Sequence, residues 1–166
     1  GLGGNNIIVR YISSRPGEKE IASDYDAWGG ANGSGSIIDH CSIGWANDEQ
    51  FGLYSGLTDF TTQWSVIGPA NSFSYHSKGI HGFGVMLGEK NHSMHHNLLA
   101  HNISRNVRWK SPGTNPNEFV NNVIYNWGYK TSYGTLGHLN YVGNYLKNGP
   151  STKASLNRFI EVSDND

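Results

Sequence analysis

The chain has 166 residues, a formal net charge of -1, and charged residues at only 15% of its positions. This length suits one domain, and the near-neutral charge gives no overall field that would attract nucleic acid. Cys41 is the only cysteine, which excludes an intrachain disulfide, and no run of 18 apolar residues predicts a membrane-spanning helix. The 22 glycines and 12% aromatic residues predict many short strands joined by turns.

Seven short stretches share a pattern in which alternating residues lead to a small or polar residue and then to more apolar residues. A pattern that recurs at this interval is typical of a repeat architecture. The stretches are NIIVRYIS (6–13), SIIDHCSI (36–43), FTTQWSVI (60–67), SMHHNLLA (93–100), FVNNVIYN (119–126), NYVGNYLK (140–147) and, more weakly, NRFIEVS (157–163).

Aligning the stretches places one residue of each in a common column: Ile12, Cys41, Ser65, Asn97, Asn122 and Asn144. The steps between column members range from 22 to 32 residues, too short for repeated strand–helix–strand units. Stacked asparagines can bond to one another as an amide ladder. The repeat therefore predicts an all-β fold, a right-handed single-stranded parallel β-helix. An antiparallel sandwich is the alternative.

Glycine and proline mark the turns between the stretches. RPGEKE (15–20), WGGANGSG (28–35) and SPGTNPN (111–117) are predicted as turns, and the second of them as flexible. The longest step carries an insertion, GPANSFSYHSKGIHGFG (68–84). Such insertions would build a wall beside one sheet.

Acidic residues occur in two turns, Asp24 and Asp26 in the first and Asp48 and Glu49 in the second. Neighbouring coils would bring these turns together, and clustered carboxylates are the ligands that calcium prefers. Two separate solvated acidic turns are the alternative interpretation.

Basic residues lie in the insertion, at Lys78, and after the fourth stretch, at Arg105, Arg108 and Lys110. Residues two apart on a strand share a face, so Arg108 and Lys110 are expected to point the same way. Cations beside an acidic cluster indicate a polyanion bridged by a metal ion, such as a chain of uronic acids, and scattered surface charge is the alternative.

Histidines occur as an adjacent pair, His95 and His96, and singly elsewhere. Adjacent strand residues face opposite sides, so the pair is not expected to bind one metal ion. The histidines are interpreted as hydrogen-bonded scaffold or groove-wall residues.

The chain resembles the pectate lyases of polysaccharide lyase family 1, and especially the bacterial pectate trisaccharide-lyase-like branch. The resemblance runs in order through most of the chain. The stretches that match the family are NIIVRYISSRPGE, DAW, IIDHCSIGWANDE, TTQWSVI, HSKGIHGFG, MHHNLLAHNISRNVR and EFVNNVIYNWG.

The resemblance implies a parallel β-helix and calcium-dependent β-elimination of polygalacturonate (pectate), giving 4,5-unsaturated oligogalacturonides. It implies that Arg105 is the catalytic arginine and that Asp26 and Asp48 bind Ca2+, with Glu49 as a further candidate ligand. The substrate-binding residues that it implies are Lys78, Arg108 and Lys110.

Two positions depart from the family pattern. Val107 stands where the Arg-x-Pro-Arg motif has its proline, and Gly52 stands where a third calcium ligand is usual. Four tryptophans are candidates for stacking on sugar rings or for packing: Trp45, Trp64, Trp109 and Trp127.

The resemblance also implies a secreted, extracellular or periplasmic protein, and no defined protein partner is expected. Residues 1–166 are predicted to form part of a β-helix domain, because the chain begins within a strand-bearing coil without a cap. A non-catalytic β-helix that binds acidic polysaccharide is the alternative function. A pectin hydrolase on the same fold ranks third, because its clustered aspartates are not found.

Overall fold

A computed structural model describes residues 3–17, 24–54, 56–88, 90–110, 116–156 and 158–162. Within this part of the chain the regular elements are strands, and the strands pair in parallel to form three sheets of six. The described residues contain no helix long and apolar enough to cross a membrane.

Each sheet takes one strand from each coil. The first sheet contains β1 (Ile8–Arg10), β4 (Gly33–Asp39), β7 (Leu57–Gln63), β10 (His92–His95), β13 (Asn117–Val120) and β16 (Leu139–Val142). The second contains β2 (Ser13–Ser14), β5 (Ser42–Ile43), β8 (Val66–Ile67), β11 (Leu98–Ala100), β14 (Val123–Tyr125) and β17 (Tyr145–Lys147). The third contains β3 (Trp28–Gly30), β6 (Glu49–Leu53), β9 (Phe83–Leu87), β12 (Arg108–Lys110), β15 (Ser132–Thr135) and β18 (Ile160–Val162).

The chain visits the three sheets in the same order in every coil, and each strand pairs with the equivalent strand of the next coil. This is a β-solenoid of about six turns, so the predicted parallel β-helix is confirmed and the antiparallel sandwich is wrong. Inward-facing side chains from all three sheets form one continuous core, with Phe51, Phe60, Trp109 and Phe119 among its largest members.

The first six repeat stretches each span a strand of the first sheet, a corner and a strand of the second sheet. The seventh does not align in this way, because its strand β18 belongs to the third sheet. The prediction of a flexible turn at 28–35 is also wrong. Pairing with β6 holds the glycine-rich β3 extended, in the register Trp28↔Phe51 and Gly30↔Leu53. Residues 18–20 and 111–115 of the other two predicted turns lie outside the described residues.

The corner between the first and second sheets carries the predicted column of polar residues, called here the ladder corner (Cys41, Ser65, Asn97, Asn122 and Asn144). The backbone N–H of each of the first four members donates to the side-chain oxygen of the next member, at 2.9–3.0 Å. The amide nitrogens of Asn97 and Asn122 donate onward to Asn122 and Asn144. Buried backbone donors at this sharp corner are thereby satisfied, and the predicted amide ladder is confirmed.

The residue before each ladder member has a left-handed backbone, with φ between 49° and 66° at His40, Trp64, His96, Asn121 and Gly143. This conformation turns the chain sharply from one sheet to the next. The rings of His40, Trp64 and His96 stack along the outside of the corner, with centroids 6.3 Å apart for His40–Trp64 and 4.4 Å apart for Trp64–His96. Ring stacking compensates for a backbone region that bulky residues rarely adopt.

Candidate active site

The predicted site residues gather at the corner between the second and third sheets. We call this group the site corner (Asp26, Asp48, Glu49, Lys78 and Arg105). Here the connections are longer than at the ladder corner, and the insertion leaves the stack between β8 and β9. The parallel register holds successive connections above one another, which brings together residues far apart in sequence.

The acidic residues of neighbouring coils meet as expected. One carboxylate oxygen from each of Asp26, Asp48 and Glu49 lies within 4.8 Å of the other two. The backbone N–H of Glu49 donates to Asp26 Oδ1 at 3.2 Å. Burial raises the pKa of Asp26 to about 6, and the nearby Asp48 charge adds to the shift while the Tyr54 hydrogen bond opposes it. A buried like-charged cluster of this kind favours a cation.

Tyr54 reaches this cluster because Gly52 has no side chain. The Tyr54 hydroxyl donates to Asp26 Oδ2 at 2.5 Å, and burial, followed by that bond, raises the pKa of Tyr54. A Cβ at position 52 would lie 2.7 Å from both Asp26 Oδ2 and the Tyr54 hydroxyl. The position at which the resemblance places a third ligand is therefore filled by a phenol from the end of the same strand. Tyr54 was not predicted from the sequence, in which the one signal was the absence of a side chain at position 52.

Arg105 lies directly after the isolated bridge between Phe83 and Ser104. Its Nη1 forms an ion pair with Glu49 Oε1, and its guanidinium lies over the Phe83 ring at 4.1 Å. Glu49 is 2% exposed and the Arg105 side chain 16%, so the pair is largely removed from water. Glu49, predicted as a metal ligand, is thus also the partner of the predicted catalytic arginine.

Val107 occupies the core, and its backbone N–H donates to Ser132 Oγ at 3.1 Å. Proline has no N–H and could not make this bond. The valine at this position therefore makes a backbone hydrogen bond that the proline of the family motif could not make.

Arg108 and Lys110 lie on β12 with the fully buried Trp109 between them, so both side chains face outward as predicted. The Arg108 guanidinium lies 5.8 Å from the centre of the Tyr133 ring on the neighbouring strand. Gly52, Met86 and Arg108 are successive partners across the third sheet, which makes its outer face continuous from the acidic cluster to the basic residues.

Lys78 is exposed and lies in a turn of the insertion, which is closed by the Gly79 N–H donating to the His76 carbonyl at 3.0 Å. The turn is tied to the acidic residues by two histidines. His81 Nε2 lies 3.0 Å from Asp48 Oδ1, and the buried His76 Nε2 lies 3.3 Å from Asp24 Oδ1.

Asp48, His76 and His81 form a second group with ligand atoms within 4.8 Å of one another. However, His76 Nδ1 accepts a hydrogen bond from the Lys78 N–H at 3.0 Å. In a neutral imidazole the proton then lies on Nε2, which faces the carboxylates as a donor and not as a metal ligand. This arrangement fits the interpretation of these histidines as hydrogen-bonded scaffold.

The remaining predicted residues, the tryptophans and the histidine pair, lie partly in the core and partly at the surface. Trp109 and Trp127 are buried in the core, whereas Trp45 and Trp64 are about half exposed. The expectation that His95 and His96 face opposite sides is wrong, because β10 ends at His95 and His96 lies in the corner. Their Nδ1 atoms lie 3.0 Å apart.

The residues of the acidic cluster fit a hard cation. Their donors are all carboxylate oxygens, they come from two adjacent coils, and one of them is buried enough to shift its pKa. Calcium takes six to eight oxygen ligands, so three carboxylates would leave positions for other oxygens.

The chain is similar to fungal proteins named "Probable pectate lyase C". It is 38% identical to the protein of Aspergillus flavus over 97% of the chain, and 37% identical to that of Aspergillus fumigatus over 91%. It is 36% identical to the protein of Emericella nidulans over 97% of the chain. No protein-family model matches the sequence.

The chain spans about a third of the length of these relatives, 36% for Aspergillus flavus, 34% for Aspergillus fumigatus and 35% for Emericella nidulans. The relatives are fungal, and they do not confirm the resemblance to a bacterial branch. They support the broader resemblance, and over nearly its whole length the chain is similar to proteins named as pectate lyases.

Proposed function

We propose that this chain is a calcium-dependent pectate lyase that cleaves polygalacturonate by β-elimination. The observation that carries the proposal is the group of three carboxylates, Asp26, Asp48 and Glu49, which lies directly beside Arg105. The similarity to proteins named probable pectate lyase C gives it independent support.

Asp26, Asp48 and Glu49 would hold the metal ion. Calcium, when bound, supplies neutralisation of a substrate carboxylate and stabilisation of the negative charge that develops next to it. Arg108 and Lys110 on the outer face of the third sheet, with Lys78 in the insertion, supply further positive charge for the substrate's carboxylates. With three protein carboxylates, the coordination shell has room for a substrate oxygen.

The reaction removes the proton on C5 of a galacturonate unit, which is α to the carboxylate. Arg105 accepts that proton, and the electron pair of the C5–H bond forms the C4–C5 double bond. The C4–O bond breaks, and the leaving oxygen takes a proton from water. The products are a shortened chain and a 4,5-unsaturated oligogalacturonide.

The ion pair of Arg105 sets a condition on this mechanism. An opposite charge favours the protonated guanidinium, which cannot accept a proton. Glu49 must therefore turn from Arg105 in the reactive complex, and its role as a metal ligand provides an alternative position. We expect activity to rise toward alkaline pH, because a general base must be deprotonated to accept the C5 proton.

The same ion pair favours the second candidate function, a non-catalytic β-helix that binds acidic polysaccharide. If Glu49 and Arg105 stay paired with substrate present, the basic face would still bind polygalacturonate but no proton would be removed. Cleavage and binding must therefore be measured separately.

The deciding experiment follows the ultraviolet absorbance of unsaturated products from polygalacturonate at alkaline pH, with calcium and with a chelator. We expect absorbance to rise in calcium and to stop in chelator. Binding of the same polymer in calcium without any rise in absorbance would establish the second candidate. We also propose that the protein acts outside the cytoplasm, where a polymeric substrate of this size is accessible.

A further inference from the structure

Asp24 makes contacts that set it apart from the three carboxylates of the acidic cluster. Its Oδ1 accepts the backbone N–H of Ser77 at 3.0 Å, and its Oδ2 accepts the Ser77 hydroxyl at 2.7 Å. Ser77 is 53 residues away in sequence. These two bonds, the hydroxyl first, hold the pKa of Asp24 below its usual range. Asp24 thus fixes one point of the insertion from a different coil.

His76 fixes the next point. Its side chain is fully buried, and its Nδ1 accepts the backbone N–H of Lys78 at 3.0 Å. The remaining ring proton lies on Nε2, which is 3.3 Å from Asp24 Oδ1 and 3.7 Å from Asp48 Oδ2. The imidazole therefore lies between the Lys78 backbone, to which it is hydrogen-bonded, and the two carboxylates, to which its Nε2 is close without a hydrogen bond.

His81 closes the arrangement from the other side of the turn. Its ring stacks on that of His76, with centroids 3.8 Å apart and planes inclined by 7°. Its Nε2 lies 3.0 Å from Asp48 Oδ1. The two histidines thus present both of their Nε2 atoms to the same acidic edge.

We propose that Asp24 is a positioning residue for Lys78, acting through Ser77 and His76, and that Asp48 couples this turn to the acidic cluster. The proposal rests on the proposed function, in which Lys78 binds a substrate carboxylate. Lys78 has a long side chain on an exposed turn, so the position of its backbone limits where its ammonium group can reach. Asp24 supplies that limit and does not touch the substrate.

A double-mutant cycle tests the coupling. In the Lys78 protein, Asp24→Ala should lower kcat/KM for polygalacturonate about 10- to 100-fold, since small displacements of a binding group have effects of this size. In a Lys78→Ala background the same change should lower kcat/KM less than about 2-fold. Equal losses in the two backgrounds would overturn the proposal, because a general structural defect does not depend on Lys78.

Asp59→Ala is the matched control. Asp59 is also an exposed aspartate with two side-chain donors, Asn91 Nδ2 at 2.7 Å and Thr58 Oγ1 at 2.7 Å. It lies on β7 of the first sheet, where none of the predicted site residues occurs. Its replacement should leave kcat/KM unchanged in both backgrounds, and thermal unfolding of both variants shows how much stability each change removes.

Hydrogen exchange tests the positioning role of Asp24 independently of lyase activity. The Ser77 and Lys78 amides are hydrogen-bonded to Asp24 and His76, so a peptide covering residues 73–80 should exchange at least 10-fold faster in Asp24→Ala. Asp59→Ala should leave that peptide unchanged. Faster exchange in a protein without lyase activity would retain the positioning role and reject the lyase, whereas unchanged exchange would reject the positioning role whatever the activity.

Discussion

The ladder corner and the site corner are built by the same stacking of coils, yet they differ in what successive coils contribute. At the ladder corner the rows are alike, and each polar group finds its partner one coil away. At the site corner the rows differ, so that acids, histidines and an arginine from separate coils converge. Small uncharged residues in register, three of them asparagine, form a neutral hydrogen-bonded network, whereas unlike residues brought together at the other corner concentrate charge. Four predictions test this contrast.

The largest effect is expected at Arg105. Arg105→Lys keeps a positive charge opposite Glu49 but removes the guanidinium, and we expect kcat to fall about 1,000-fold, within the range for loss of a catalytic base. Polymer binding should persist. Arg10→Lys is the control, because Arg10 is ion-paired to Asp39 at 2.7 Å near the ladder corner. Activity of Arg105→Lys within tenfold of the parent would contradict the role of Arg105 as base.

At the ladder corner, Asn122→Ala should destabilise the fold by about 3–5 kcal/mol, because burying unpaired groups is costly. Asn122 is 1% exposed. Its replacement removes the acceptor of the Asn97 N–H and the donor to the Met94 carbonyl. Urea unfolding measures the loss. Asn140→Ala changes an exposed asparagine on β16 and should cost less than about 0.5 kcal/mol. A loss below 1 kcal/mol in Asn122→Ala would show that the ladder is not needed for stability.

The third prediction concerns His92, a buried polar side chain outside the hydrogen-bond network of the ladder corner. It is 2% exposed, and neither ring nitrogen has a hydrogen-bond partner among the described residues. Burial lowers the pKa of His92 to about 4, while the Asp59 charge opposes the shift.

The unfolded chain therefore binds a proton at His92 between about pH 6.5 and pH 4, where the folded chain does not. The stability due to neutral His92 is complete above about pH 6.5, and up to about 3 kcal/mol of it is lost as the pH falls to 4. Unfolding free energies across this range should depend less on pH in His92→Leu than in the parent. His138→Gln changes an exposed histidine as a control, and parallel profiles for parent and His92→Leu would refute the prediction.

The smallest effect is expected at Tyr54. Tyr54→Phe removes the hydroxyl that orients Asp26, and we expect calcium affinity to fall about 10-fold, as for other partners of metal ligands. Isothermal titration calorimetry measures this directly. Tyr145→Phe, on the outer face of the second sheet, should leave affinity unchanged. Unaltered or tighter calcium binding in Tyr54→Phe would show that the hydroxyl does not support the metal site.

The sequence was sufficient to predict the solenoid, because a repeat with a polar column specifies which residues stack. It did not predict the third sheet. Strands such as Trp28–Gly30 are short and glycine-rich, and pairing with neighbouring coils determines their extended form. The left-handed corner at Trp64 could not be predicted either, since a bulky tryptophan rarely adopts that conformation.

For the candidate site, residue types and their order predicted which acids and bases would gather at one corner. They could not predict which acid would pair with which base. Glu49 faces Arg105, and Asp24 faces Ser77, because of the relative heights of separate coils. Tyr54 could not be anticipated at all, since its approach to Asp26 depends on the open space at Gly52 and on the course of the strand end.

Backbone hydrogen bonds close the base of the insertion between β8 and β9, where it leaves the stacked coils. The His81 N–H donates to the Ser72 carbonyl at 3.2 Å, and the Asn71 N–H donates to the Ala46 carbonyl at 2.9 Å, so the base is anchored to the coil beneath. Residues 73–80 extend beyond this closed base. A segment grafted between Ser72 and His81 would keep these two backbone anchors, but it would have to supply new partners for Asp24 and for the His81 ring.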